Sequence, residues 1–294
     1  RPGSRPSPLS SSVINMFSLV TGSLSLNVGL RAVAPSRTAP SRTVAPSMNY
    51  YAVFHNFKPG KADEFWGAMG DVDFAAMAEA QHEAGMYNHY FMPSDVEGPI
   101  MCLWECKDKE MGSDDFQAFI DGPESPAADL MNKVYPINGM GVTPSSAWPT
   151  MPAAPTKSSG SFFWVKHTFN QGEAPAFWES MATIDMEAFA AANKEKGFVN
   201  HLFLPTTDPS TVFCVWESKA PMTVPEFTAF IDGPEGPSPG TFANAAYAVM
   251  EGGTVPSAAF PVSWLDETVA KIEELLPLKL DDIVAKLKEF QAAK

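Results

Sequence analysis

Cysteine is scarce in this 294-residue sequence. The three present, Cys102, Cys106 and Cys214, are too few and too unevenly spaced for a disulfide framework or a zinc site. They lie in apolar runs and read as small buried hydrophobes. Basic residues are also few. Twenty Lys and Arg stand against thirty-four Asp and Glu, giving a net charge of −14 and a pI near 4.7. That balance argues against nucleic acid or an anionic membrane as a partner, since both require a basic footprint. The weakly apolar run over residues 16–30 is interrupted by Ser, Gly and Asn and is too short to span a bilayer, and no other stretch is longer. A Gly-rich phosphate loop, a Gly-x-Ser-x-Gly elbow, a dinucleotide fingerprint and a His-Glu-x-x-His motif are all missing. The sequence therefore calls for no cofactor and no metal.

Acidic residues are absent before Asp63, whereas Arg1, Arg5, Arg31, Arg37 and Arg42 are set among Ser, Pro, Ala and Thr. This composition predicts an organelle transit leader over residues 1–47. The alternative is a disordered tail or sequence upstream of a start at Met16 or Met48. Without these five charges the net would fall from −14 to −19, a strongly acidic chain suited to high concentration.

What is present is a duplication. Tyr87-Asn88-His89-Tyr90-Phe91-Met92-Pro93 returns as Val199-Asn200-His201-Leu202-Phe203-Leu204-Pro205, an offset of 201 − 89 = 112. His55-x-Phe57, Phe65-Trp66-x-x-Met69 and Cys102-x-Trp104-Glu105-x-Lys107 return at the same offset. Phe119-Ile120-Asp121-Gly122-Pro123-Glu124 returns one residue sooner, as 230–235. The repeats predict module 1 over 48–149, a Pro- and Ser-containing linker over 150–160 and module 2 over 161–262.

Within each module the first strand spans Tyr50–Phe57 or Phe162–Phe169. A helix over Lys61–Ala84 or Glu173–Lys196 follows and stops at Gly85 or Gly197. A hairpin then joins Met86–Met92 to Ile100–Cys106, or Phe198–Leu204 to Val212–Ser218. A short helix over Asp114–Ile120 or Pro225–Ile231 ends at Asp-Gly-Pro. Further helical stretches are expected near Ala127–Val134 and Phe242–Met250, leading into last strands near Ile137–Val142 and Gly253–Val255. The fold class expected is α+β, two tandem ferredoxin-like βαββαβ modules. Because the strands are apolar on both parities, each sheet needs a second partner, which predicts a pseudo-two-fold α+β barrel packed sheet to sheet. Residues 263–294 break the repeat. Trp264, Leu280, Ile283, Leu287 and Phe290 mark amphipathic helices that would pack on their own chain or on a neighbouring molecule.

The repeated residues able to do chemistry are His55, His89 and Glu105 with their copies His167, His201 and Glu217. A histidine beside a carboxylate can act as a general base, and two histidines with a carboxylate can hold a metal. A pocket between the modules would need them on one face. The other reading makes these histidines structural, hydrogen-bonded residues that fix strand ends or the joint between modules. Trp66, Trp104, Trp178 and Trp216 read as core aromatics. Glu124 and Glu235 could form a surface presented twice, and Asp121 or Asp232 could close its own turn.

The duplicated Asn-His-x-Phe-x-Pro, Cys-x-Trp-Glu and Phe-Ile-Asp-Gly-Pro-Glu boxes resemble the pyrenoid shell proteins of diatoms and related algae, over about residues 48–294. That resemblance implies a structural protein of the chloroplast stroma. Its principal partner would be itself, assembling into a sheet around the Rubisco condensate, with no catalytic residue. The competing expectation is a tandem barrel similar to stress-responsive and monooxygenase-type proteins, binding a ligand or metal in a pocket lined by His55, His89, Glu105 and their copies.

Overall fold

Aromatic and aliphatic residues on both faces place one long strand at the centre of each repeat. These strands are β1 (Asn49–Phe57) and β5 (Phe162–Phe169). The computed structural model describes residues 49–263, apart from 109, 110, 124, 126 and 129. The expected leader and the carboxy-terminal arm with Trp264, Leu280, Ile283, Leu287 and Phe290 lie outside the described residues.

The first repeat continues with α1 (Ala62–Met69), α2 (Phe74–Glu83), β2 (Met86–Pro93), β3 (Ile100–Cys106), α3 (Ser113–Asp121) and β4 (Leu130–Pro136). The second follows β5 with α4 (Ala174–Met181), α5 (Met186–Glu195), β6 (Phe198–Pro205), β7 (Thr211–Ser218), α6 (Val224–Ile231) and β8 (Phe242–Ala248). All pairings are antiparallel, in the orders β2-β3-β1-β4 and β6-β7-β5-β8. This is the ferredoxin-like arrangement written twice. Among the described residues no helix is long and apolar enough to cross a membrane.

Three expectations are corrected. The long first helix is two helices in each module, because an aspartate caps a fresh start. Asp73 accepts from the amides of Ala75 and Ala76, and Asp185 from those of Glu187 and Ala188. The stretches expected to be helical near 127–134 and 242–250 run into β4 and β8 instead. Alanine favours helix intrinsically, but the free edges of β1 and β5 offer a full ladder of hydrogen bonds, and that tertiary pairing prevails. The stops at Gly85 and Gly197 hold: both have positive φ, 83° and 87°.

The segments after β4 and β8, expected as last strands, instead cross to the other module and hydrogen-bond there. Asn138 N donates to Pro205 O (2.9 Å), and Val142 and Phe203 exchange amide hydrogen bonds of 2.7 and 3.2 Å. Reciprocally, Met250 N donates to Pro93 O (2.9 Å) and Thr254 N to Phe91 O (2.8 Å). Each crossing covers the other sheet's edge strand, which would otherwise expose unpaired backbone. A Cβ on Gly141 would fall 2.5 Å from the Phe203 carbonyl oxygen, so the first crossing needs glycine there.

Three apolar layers result. The helix-side cores place Tyr51 on Phe116 (4.1 Å between rings) and, in the copy, Phe163 on Phe227 (4.2 Å). The middle layer joins the two sheets through Ala52, Met101 and Leu103 of one module and Trp164, Leu204 and Phe213 of the other. Trp164 stacks on Tyr247 (4.1 Å) and meets Phe54 edge-on (5.6 Å), which ties the two sheets together. Its indole N–H has no hydrogen-bond partner. Trp164→Ala is therefore expected to lower stability by about 3–5 kcal/mol, and Trp164→Phe by distinctly less, since no hydrogen bond is lost. Urea unfolding midpoints of the two variants check this.

Candidate functional site

Strand alternation divides the six candidate residues between two faces. His55 shares its parity with Tyr51, Val53 and Phe57, which belong to the helix-side core, whereas Glu105 shares its parity with Met101 and Leu103, which face the other sheet. His89 reaches Glu105 because β2 carries a bulge there: Asn88 pairs with Trp104 and Tyr90 with Leu103, which leaves His89 as the extra residue. β6 repeats the bulge between Asn200 and Leu202. The convergence of His55, His89 and Glu105 on one pocket does not occur, and neither does that of their copies. The sheet-to-sheet space where that pocket was expected is filled by the middle core layer.

The two His–Glu pairs do form, and each carboxylate accepts further hydrogen bonds besides. Glu105 Oε2 accepts from His89 Nε2 (2.8 Å) and Ala147 N (2.8 Å), and Oε1 from Ser146 Oγ (2.6 Å). Glu217 accepts from His201 Nε2 (2.7 Å), Ala259 N (2.7 Å), Phe260 N (3.1 Å) and Ser158 Oγ. Ala147 and Ala259 are themselves 112 residues apart, so the same link is made in both copies. Burial alone would raise both carboxyls. Hydrogen bonds from His89, Ala147 and Ser146 hold Glu105 below the usual value, and those from Ser158, Ala259, His201 and Phe260 do the same for Glu217. Glu105 is 1% exposed and Glu217 0%. Each pair is a staple that pins the chain returning from a crossing segment; among the described residues Glu217 accepts four such bonds, and Glu105 accepts three.

His55 and His167 belong to a different device. His167 Nδ1 lies 2.6 Å from Asn244 Oδ1, and Asn244 Nδ2 donates to Asp232 Oδ1 (2.6 Å). The first module repeats this relay: His55 Nδ1 lies 2.6 Å from Asn132 Oδ1, and Asn132 Nδ2 donates to Asp121 Oδ1 (2.8 Å). The asparagines face the histidines in direct register across β1–β4 and β5–β8. Asp121 and Asp232 thus orient the asparagines, which gives the repeated Phe-Ile-Asp-Gly-Pro box a purpose beyond its turn. Glu235 is exposed beside Lys196 (3.7 Å), and Glu124 lies outside the described residues. Burial pushes both His55 and His167 down to about 4, against the opposing pull of the asparagine bond and the nearby aspartate.

His167 and Asn244 of the second relay contribute to the lining of a cavity of about 340 Å³ between the sheet and the helices of module 2. His167, Cys214 and Trp216 contribute to its sheet side, and Phe177, Phe203 and Phe242 give it aromatic walls. Ile184 and Met186 also line it although they are 37% and 42% exposed, an apolar lip left open to solvent. His167 is 5% exposed, and its Nε2 is buried without a hydrogen-bond partner. Cys214 is no nucleophile there, since burial pushes its thiol up to about 12. Among the described residues, no group of three or more His, Cys, Asp or Glu side chains is placed to hold a metal ion.

Two outcomes follow. Glu217→Ala would strand His201, Ser158 and two amides, lowering stability by about 3–5 kcal/mol as for a broken buried pair, read as the shift in a urea unfolding midpoint. For the relays, the folded pKa lies near 4 against the ordinary value of 6.5. Between these values the unfolded chain binds more protons, so stability falls as pH is lowered from 6.5 to 4. The buried glutamates add a loss only below their ordinary value of 4.5. His167→Asn should remove about half of the slope above pH 4.5, as measured by melting temperature against pH.

Similarity to known proteins stays at the level of fold. A protein from Lactobacillus acidophilus NCFM assigned as a monooxygenase aligns at 10% identity and a TM-score of 0.41, covering 74% of this chain and 100% of its own. A mutant chlorite dismutase from Candidatus Nitrospira defluvii aligns at 11% identity and a TM-score of 0.42, covering 68% of this chain and 91% of its own. No curated protein sequence matches. The model of one family matches both repeats, at residues 50–144 and 162–256, and the chain accordingly belongs to the family described as Domain of unknown function (DUF8652).

Proposed function

We propose that this protein binds a small molecule in the helix-side cavity of its second module. The observation that carries this reading is His167, a side chain that contributes to the lining of that cavity and whose buried Nε2 has no hydrogen-bond partner. An unmet buried acceptor is unfavourable by about 1–3 kcal/mol. A ligand that supplies its partner recovers that energy. Size and lining agree: about 340 Å³ lies within the usual range for small-molecule sites, and aromatic walls around a few polar atoms are their common form. The site differs from the pocket between modules that the sequence suggested. It lies on the opposite face of the sheet from Glu217 and uses His167 alone of the three candidates in its module.

A second reading retains the pyrenoid shell: self-assembly into a sheet around a Rubisco condensate in the chloroplast stroma. Its support is the retention of both His–Glu staples, each carboxylate taking its histidine and a backbone amide at the same offset in each copy. A chain that keeps both halves locked alike presents related surfaces in opposed directions, the geometry from which extended assemblies grow. The two readings separate experimentally. Screening small aromatic compounds by melting temperature should give stabilisation that is lost in Ala176→Trp, a substitution in the cavity lining; no hit, or hits indifferent to that substitution, would contradict ligand binding. Negative-stain images of concentrated protein should show two-dimensional order if the shell reading holds, and dispersed particles would sink it.

A further inference from the structure

The relay behind His167 fixes which hydrogen-bonding role the cavity lacks. Asn244 is oriented by Asp232: the carboxylate accepts, so the asparagine must turn its Nδ2 there (2.6 Å) and its Oδ1 toward the histidine. Oδ1 can only accept, so the 2.6 Å contact requires His167 Nδ1 to carry the proton. A neutral imidazole has a single N–H, which leaves Nε2 as a bare acceptor. A ligand group that pairs with this nitrogen must therefore be a donor.

The remaining lining narrows the class. Among the described residues no Lys or Arg contributes to it, and the exposed Glu173 lies at its edge. With a net charge of −14 on the chain, an anionic ligand is disfavoured. The walls are aromatic, with Phe177, Phe203, Phe242 and Trp216, and suit a flat ring by stacked and edge-on contacts. The volume, about 340 Å³, is roughly twice the ~150 Å³ that takes up a benzene-sized guest, which corresponds to two fused rings.

We propose that the cavity selects neutral one- or two-ring aromatic molecules bearing a hydroxyl, which donates to Nε2 of His167. This deepens the reading of the cavity as a ligand site and rests on it. Asn244 and Asp232 act as positioning residues, holding the ring in the tautomer that accepts. The relay is repeated in the first module by His55, Asn132 and Asp121, but the orphaned Nε2 and the open apolar lip are observed around His167.

The test compares 2-naphthol with 2-methoxynaphthalene, which keeps the rings and replaces the donor, by calorimetric titration of the full chain. The expected result is binding of 2-naphthol, with the methyl ether at least fivefold weaker, and loss of 2-naphthol binding in Ala176→Trp. In Asn244→Leu the preference for the hydroxyl should shrink, because nothing then fixes the tautomer. Equal affinity for the two compounds in the wild-type protein would overturn the hydroxyl inference while leaving the cavity reading standing. Failure of both to bind folded protein, or 2-naphthol binding unaffected by Ala176→Trp, would overturn both. The comparison on unaltered protein remains decisive even where a variant fails to fold.

Discussion

Neither sheet of this protein can remain single, because both of its faces are apolar. Helices cover one face of each, and the apolar surface that matches the other is the second copy of the same sheet. Trp164, Phe213 and Leu204 close against Leu103, Met101 and Ala52, and burial of that layer sets everything else. It brings β6 within reach of the segment after β4, and β2 within reach of the segment after β8. The crossing segments then return to their own modules, where Glu105 and Glu217 receive them.

This sequence of constraints explains why two histidines repeated in the same modules have different fates. His89 and His201 lie on bulges at the rim of the sheet-to-sheet layer, where their carboxylate partners are consumed by backbone amides. His55 and His167 lie on the helix side, where an asparagine faces each across the ladder. In the first set the Nε2 of each histidine is bonded to its glutamate. In the second, the Nε2 of His167 is left over, and a cavity adjoins it.

Much of the architecture could be read in the sequence because its determinants are local or duplicated. Apolar residues on both parities of β1 and β3 signalled doubly covered strands, and Gly85 and Gly197 marked helix ends. What escaped depended on pairing. Phe242–Ala248 is rich in alanine and reads as helix until β5 is seen to need an edge partner. Asp73 and Asp185 were visible as caps in the middle of an apparent helix, a signal that the Ala-rich context obscured. Asn132 and Asn244 carried no motif, since their meaning lies in the register that sets them opposite His55 and His167. The role of Asp232 likewise required knowing that α6 ends beside β8.

The proposed ligand preference rests on the tautomer of His167, and a long-range nitrogen-15 spectrum of its imidazole reads that most directly. At neutral pH the Nδ1 resonance should show a bonded proton, and Nε2 should resonate as an unprotonated nitrogen, remaining so until the pH approaches about 4. A proton on Nε2 at neutral pH, or an imidazolium already formed near pH 6.5, would contradict it.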